Sequence, residues 1–298
     1  MIVADPLRKA YQYCEWITTH HYENFPVASW LLPKSKRPQV AAIYAFARSA
    51  DDFSDEAKYQ GRGLKLLNAW RTALWACSGA DSKTYCSTEG VPTTHPIFLA
   101  LGDTIRRCHL PVQLCDDLLS AFLMDVTKRR YANWQELLTY CRYSANPVGR
   151  LVLTIFGYQD PRLHQLSDCI CTGLQLANHW QDLRIDFFKK DRLYIPQDLM
   201  EQHGVREDHL KECEIHPPSD ALGSLMSELV RRARDLFDEG EPLLSQVSGR
   251  LRLELTLTLL GGRAILDQMA LAHYDVFRHR PVLSTWAKLT LLSHALVS

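Results

Sequence analysis

Helical periodicity runs through nearly the whole chain, and no stretch shows the sustained apolar–polar alternation between turn dipeptides that marks a strand. A chain patterned this way can bury its apolar residues only by packing helix on helix. Proline supplies much of the punctuation. Pro38 fits the first position of a helix reaching about Glu56, and proline stands near each start of a pair over Pro96–Cys108 and Pro111–Met124. Further helices are predicted over Leu7–Thr19, Leu64–Ala76, Trp134–Tyr143 and Pro147–Phe156. The longest run begins after Pro161, continues to about Phe188, and is stopped by Arg192-Leu193-Tyr194-Ile195-Pro196. Past two short helices, Pro217-Pro218 opens a long helix from Ser219 to about Gln246. Leu251–Phe277, interrupted at Gly261-Gly262, and Ser284–Leu296 complete the set. Ser78 to Thr94 is polar and irregular and reads as a surface loop. No repeat and no linker-like shift in composition appears, so one all-α domain over residues 1–298 is expected.

One stretch works against its own helix. Arg48-Ser49-Ala50-Asp51-Asp52-Phe53-Ser54-Asp55-Glu56 puts four carboxylates into six residues, in two pairs four apart. Like charges at that spacing share a helix face and destabilise it by a few tenths of a kcal/mol. A bound divalent cation would offset that cost. The same device recurs in Gln175-Leu176-Ala177-Asn178-His179-Trp180-Gln181-Asp182-Leu183-Arg184-Ile185-Asp186, where Asn178, Asp182 and Asp186 are each four apart and Gln175 precedes Asn178 by three. Either acidic cluster alone also reads as a solvated helix face. Apolar flanks, Ala41 to Ala50 and Cys169 to Ala177, instead run both helices through the core. Facing aspartates of this kind suit Mg²⁺, which takes one or two carboxylates and completes its octahedron with water and phosphate oxygens. Neither G-x-x-x-x-G-K nor G-x-G-x-x-G occurs, so a phosphate would not be cradled by a glycine-rich loop.

Other classes are excluded on simpler grounds. Lys+Arg and Asp+Glu balance at 34 each, so overall charge implies neither nucleic acid nor an anionic membrane. The 9 cysteines include no C-x-x-C, which removes zinc spacing and makes a disulfide framework an unsuitable reading. A reducing cytoplasm is the expected location, since the start lacks the pattern of a signal peptide and no apolar run reaches the length of a membrane span.

These residues together resemble the squalene/phytoene synthase family of head-to-head prenyl transferases, over nearly the whole chain. Asp51 and Asp55 match the family's first D-x-x-x-D, with Tyr44 and Arg48 at diphosphate-contacting positions ahead of it. Asn178, Asp182 and Asp186 match the second, with Gln175 upstream, and Arg192-Leu193-Tyr194 resembles the R-x-Y that follows. Three stretches are similar to the bacterial hopanoid branch of hydroxysqualene synthases: His21-Tyr22-Glu23-Asn24-Phe25-Pro26, Arg142-Tyr143-Ser144-Ala145-Asn146-Pro147-Val148-Gly149, and Leu260-Gly261-Gly262-Arg263-Ala264-Ile265-Leu266. The resemblance implies a helical bundle of the isoprenoid-synthase type with a central cavity. It implies conversion of presqualene diphosphate and water to hydroxysqualene and diphosphate, a carbon–oxygen lyase reaction without NADPH. Several Mg²⁺ ions bridged by diphosphate would be held by Asp51, Asp55, Asn178, Asp182 and Asp186. Asp52 and Glu56 would support or face away. His21, Phe25, Tyr44, Arg48, Gln175, Arg192 and Tyr194 are substrate-binding candidates, and Tyr143 joins the aspartates as a catalytic one. Asn146 or Tyr143 would position the attacking water.

Alternatives stay open at this level. A sister enzyme could make presqualene diphosphate or squalene from farnesyl diphosphate; an all-α Mg²⁺-dependent nucleotide pyrophosphatase also faces acidic pairs across helices. A non-catalytic relative should have lost aspartates that are all present here. Asp116-Asp117 reads as a solvated face, and Asp125 with Arg129 and Arg130 as an ion pair or a diphosphate-facing group. Lys189-Lys190 reads as a helix end, and the cysteines as core filler. An upstream synthase delivering the substrate is an expected partner. The terminal run from Trp286 reads as packing on the bundle, with peripheral membrane contact as the alternative.

Overall fold

The structure, a computed structural model, describes residues 5–20, 31–79, 92 and 94–297. Among them every regular element is helical, and the strand-like pairing is confined to a parallel bridge between Arg130 and Leu193. The helices are α1 (Pro6–His20), α2 (Arg37–Asp55), α3 (Gly63–Cys77), α4 (Pro96–Cys108), α5 (Val112–Thr127), α6 (Trp134–Ser144), α7 (Asn146–Ile155), α8 (Pro161–Gln181), α9 (Leu183–Lys190), α10 (Gln197–Gln202), α11 (Glu207–Glu212), α12 (Asp220–Gly240), α13 (Leu243–Gln246), α14 (Gly249–Leu271) and α15 (Thr285–Val297). Two compact units emerge: Met1–Thr127 with Pro147–His164, and Lys128–Asn146 with Gln165–Ser298.

The first unit is organised around α2. Val40, Ala41, Ala42, Ile43, Tyr44, Ala45 and Phe46 are all buried, so this stretch of the helix is enclosed on every side, as in a helix surrounded by others. It packs against α1, α3, α4 and α5, and its small alanines allow those close approaches. Phe46, Trp70 and Phe98 form a buried aromatic trio, with Trp70 and Phe98 centroids 4.5 Å apart, and Trp70 Nε1 donates to the Phe46 carbonyl at 3.3 Å. Removing Phe46 to alanine would cost about 3–5 kcal/mol. Asp116 is not the solvated residue expected: Arg71 Nε lies 2.7 Å from it and Trp75 Nε1 donates to it at 3.1 Å. Its neighbour Asp117 stays at the surface, accepting from Gln113.

The second unit turns on Phe237 of α12, which is fully buried. A Cβ at Gly173 of α8 would stand 2.8 Å from its ring, and one at Gly262 of α14 would stand 2.6 Å from it. Gly261-Gly262 was expected to interrupt a helix, but α14 runs straight through it. Absent side chains there admit the Phe237 ring, and that packing outweighs glycine's helix cost of about 1 kcal/mol. Two other expected boundaries move. The helix from Ser219 stops at Gly240, since Pro242 cannot continue the hydrogen-bond ladder. The long run after Pro161 divides at Asp182 (φ −99, ψ 8) into α8 and α9.

Candidate active site

The first acidic motif ends α2. At about 100° per residue, Tyr44, Arg48, Asp51 and Asp55 share one helix face, and Phe46 and Phe53 take the opposite one. The Phe53 ring meets Tyr59 at 5.1 Å and Trp70 at 5.3 Å, which fixes the rotation of the helix end. Gly63 lets α3 begin hard against it, since a Cβ there would lie 2.6 Å from the Phe53 carbonyl oxygen. Glu56 leaves the helix in extended backbone, so α2 stops just past Asp55. Carboxylates at this end face the partial negative charge of the helix dipole. The chain answers locally: Arg48 lies 3.3 Å from Asp51 and 2.7 Å from Asp52. Ser54 Oγ donates to the Asp51 carbonyl at 2.7 Å and to Asp55 Oδ1 at 3.3 Å. Asp52 therefore holds Arg48 against the motif, while Glu56 turns to Lys58.

The second motif crosses the α8–α9 break without losing register. Asp182 N–H donates to the Asn178 carbonyl and Asp186 N–H to the Asp182 carbonyl, both at 2.9 Å. Asn178 is exposed, Asp182 half-buried and Asp186 buried. Asp182 accepts from Arg280 Nε at 2.6 Å. Lys190 stands 3.5 Å from Asp186, whose carboxyl is pushed up to about 6, chiefly by burial, with Lys190 opposing. Asp191 adopts a left-handed conformation (φ 50) and closes α9, so that Arg192 N–H donates back to the Asp186 carbonyl at 2.9 Å. This turn brings Arg192 and Tyr194, both buried, beside the motif. The Tyr194 ring stacks on His179 at 3.7 Å, with Tyr140 5.5 Å and Tyr131 5.6 Å away. His179 is kept neutral, pushed down to about 3 by burial first and then by Lys190 and Arg192. The Gln175 amide nitrogen lies 3.4 Å from His179 Nε2.

Among the remaining candidates, Tyr143 is half-buried near the end of α6, with the Arg142 guanidinium 5.8 Å from its ring. Asn146 is buried and accepts from Thr172 Oγ1 at 2.9 Å, tying the start of α7 to α8. Asp125 is buried, and Arg130 is engaged by Asp191 at 2.8 Å and Glu207 at 2.6 Å. His21 and Phe25, with the rest of the 21–26 stretch, lie outside the described residues. Two residues were not anticipated. Arg280 is 98 residues from its partner Asp182, so no local pattern announces it. His179 is buried on α8 against the Tyr140 and Tyr194 rings, where a lone histidine has no motif to flag it.

Both motifs offer hard oxygen donors, the chemistry that Mg²⁺ requires. Among the described residues no three or more His, Cys, Asp or Glu side chains gather as a ready-made metal cage. Asp186 is a buried carboxylate raised by desolvation, and a nearby cation would relieve it.

An all-helical chain carrying a D-x-x-x-D segment on each of two helical stretches belongs among the all-α enzymes that place acidic pairs on helices. Comparison with known proteins narrows the class. The chain belongs to the squalene/phytoene synthase family, whose model matches residues 18–287. It is 35% identical to a hydroxysqualene synthase of Rhodopseudomonas palustris over 80% of this chain and 76% of that one. It is likewise 35% identical to a hydroxysqualene synthase of Sinorhizobium fredii, over 92% and 87%. The crystal structure of the squalene synthase HpnC from Alicyclobacillus acidocaldarius superposes with a TM-score of 0.79 at 38% identity, covering 90% of this chain and 95% of that one.

Proposed function

We propose that this chain converts presqualene diphosphate and water to hydroxysqualene, releasing diphosphate, in hopanoid synthesis. The observation that carries the reading is the likeness to two bacterial hydroxysqualene synthases, one of them over 92% of the chain. Asp51, Asp55, Asn178, Asp182 and Asp186 would hold Mg²⁺. When bound, Mg²⁺ supplies Lewis-acid charge to the departing diphosphate.

This chain's own residues do the rest. Arg48 and Arg280 already stand at the aspartates, and each guanidinium presents a fork matched to phosphate oxygens. Tyr44 donates its hydroxyl to the diphosphate, and Arg192 and Gln175 complete the polar contacts. The C–O bond breaks with its electron pair leaving on diphosphate. Aromatic faces, Phe25 and Tyr143 first, stabilise the cyclopropylcarbinyl-type cation while it rearranges, and apolar walls exclude stray water. One admitted water, positioned by Tyr143 or Asn146, forms the new C–O bond and gives up its proton.

Incubation of the purified chain with presqualene diphosphate and Mg²⁺, without NADPH, followed by product mass analysis, tests the assignment. Hydroxysqualene is the expected product. Asp51→Ala and Asp182→Ala, assayed separately, should each lose turnover; full activity in either would refute the metal assignment. A second reading, a squalene synthase acting on farnesyl diphosphate, is favoured by the likeness to the squalene synthase HpnC of Alicyclobacillus acidocaldarius. Squalene from farnesyl diphosphate, dependent on NADPH, would select it.

A further inference from the structure

Arg129 and Arg130 take no part in the steps above, yet both lie against the turn that ends α9. The last carbonyls of a helix have no partner within it. Here two guanidiniums supply the donors: Arg129 Nη1 donates to the Lys190 carbonyl at 3.4 Å and Arg130 Nη1 to the Asp191 carbonyl at 2.7 Å. Cations at this end also meet the negative pole of the helix dipole.

Arg130 does more than cap. Every N–H of a guanidinium is a donor held in one plane, and here each meets an acceptor. Nε donates to Glu207 Oε1 at 2.6 Å. Nη1 donates to the Arg129 carbonyl at 3.0 Å as well as to that of Asp191. Nη2 donates to Asp191 Oδ1 at 2.8 Å and to Glu207 Oε2 at 3.0 Å. The Phe187 ring centroid is 5.7 Å from the guanidinium carbon. The compact ammonium of lysine cannot reproduce that planar set. Backbone bonds brace the same junction: Leu193 N–H donates to the Arg129 carbonyl and Gln197 N–H to that of Tyr131, both at 2.9 Å.

The residue that Arg130 grips has left-handed backbone (φ 50), which costs any residue but glycine. The carbonyl of Asp191 and the N–H of Arg192 belong to one planar peptide unit. Its oxygen accepts from Arg130, and its N–H donates to the Asp186 carbonyl at 2.9 Å. Arg130 therefore reaches the second acidic motif through a single rigid plane. We propose that Arg130 is a positioning residue for that motif: acting through Asp191, it holds Arg192 and Asp186 in the arrangement that binds Mg²⁺ and diphosphate, a role that rests on the reading of the site given above.

Two measurements on the full chain test it. In the metal-free chain, hydrogen exchange at the Arg192 amide should be roughly fivefold faster in Arg130→Lys than in the parent, as the left-handed turn opens. Calorimetric titration with inorganic pyrophosphate in the presence of Mg²⁺ should show affinity weakened by a similar factor. Glycine takes up the turn without strain, so adding Asp191→Gly to Arg130→Lys should restore most of both losses, although it deletes a further side chain; a role limited to general stability predicts a further fall instead. Glu207→Gln loosens the same guanidinium from its other side and should act in the same direction by about threefold, which keeps the test open if Arg130→Lys does not fold. Equal exchange or equal affinity in the parent and Arg130→Lys, or no recovery in the double variant, would overturn the positioning role alone. A parent chain that binds no pyrophosphate with Mg²⁺ would overturn the diphosphate reading and this role with it, whatever the exchange shows.

Discussion

His179 and Asp186 pull the pH dependence of stability in opposite directions, and their variants separate the two. The His179 imidazole drops from 6.5 in an unstructured chain to about 3 in the fold. On acidification the unfolded chain takes up this proton first. Stability is therefore full above 6.5 and is lost as pH falls toward the folded value. Between about pH 7.5 and about pH 5 the loss is about 2 kcal/mol. Asp186 rises from 3.8 to about 6, so the folded chain protonates first and the strain of a buried carboxylate is relieved as pH falls through 6. Over the same interval the gain is about 1 kcal/mol. The two partly offset, leaving a net loss of about 1 kcal/mol. His179→Phe keeps an aromatic face against Tyr194 and removes one titration. Its stability should rise on acidification by about 1 kcal/mol relative to what the other groups contribute. Asp186→Asn removes the other and should fall by about 2 kcal/mol. Urea unfolding at both pH values, with EDTA present, measures each change, and the remaining titrations cancel in the differences. Identical pH slopes in the parent chain and His179→Phe would refute the argument.

Gly262→Val should destabilise the chain by about 1–3 kcal/mol through overpacking against the Phe237 ring, read from urea midpoints; Phe237→Leu in the same chain should recover part of it. Arg280→Gln removes a half-exposed ion pair and should shift metal-free stability by no more than about 1 kcal/mol, while moving the Mg²⁺ concentration needed for half-maximal turnover. Unchanged Mg²⁺ dependence would detach Arg280 from the motif's chemistry. Cys14 and Cys115 are buried, with thiols pushed up to about 12 by desolvation; mass-resolved alkylation near neutral pH should leave both unmodified until urea is added.

What could be read in advance follows from how local each cause is. Pro96 opens α4 and His95 accepts the Ile97 N–H at its start, so Pro96–Cys108 was found to the residue. α2 was bounded to within a residue because Pro38 and the acid-rich end are both printed in its sequence. The break at Asp182 was hidden for a physical reason. Hydrogen bonds from Asp182 to Asn178 and from Asp186 to Asp182 preserve the four-residue spacing across it, so the polar stripe shows no interruption. Gly261-Gly262 misled because glycine's intrinsic cost is local, whereas its compensation is a Phe237 ring more than twenty residues earlier in the chain. The aspartates were legible because they form a pattern that a helix would otherwise avoid.

The two motifs differ in how their charge is balanced, and that difference has consequences. Arg48 precedes Asp51 and Asp52 by one turn of the same helix, so any chain that forms α2 carries its own compensation. Asp182 instead depends on Arg280, and Gln181 beside it donates to the Pro281 carbonyl. The second motif is therefore set by a segment that ends only a few residues before α15. Trimming the chain ahead of Arg280 would remove both tethers and leave Asp182 without its guanidinium, while the Arg48 pairs on α2 would be untouched. Trimming after Ser284 would spare both tethers and remove the whole of α15 with its packing on α14. Comparing the two truncations for Mg²⁺-dependent turnover and for unfolding midpoint separates the segment's two parts. The first should lose turnover, and the second should keep it while its midpoint falls with the lost α14–α15 packing. Loss of turnover in the second with its unfolding midpoint preserved would mean that α15 itself, rather than the Arg280–Pro281 tether, holds the second motif in place.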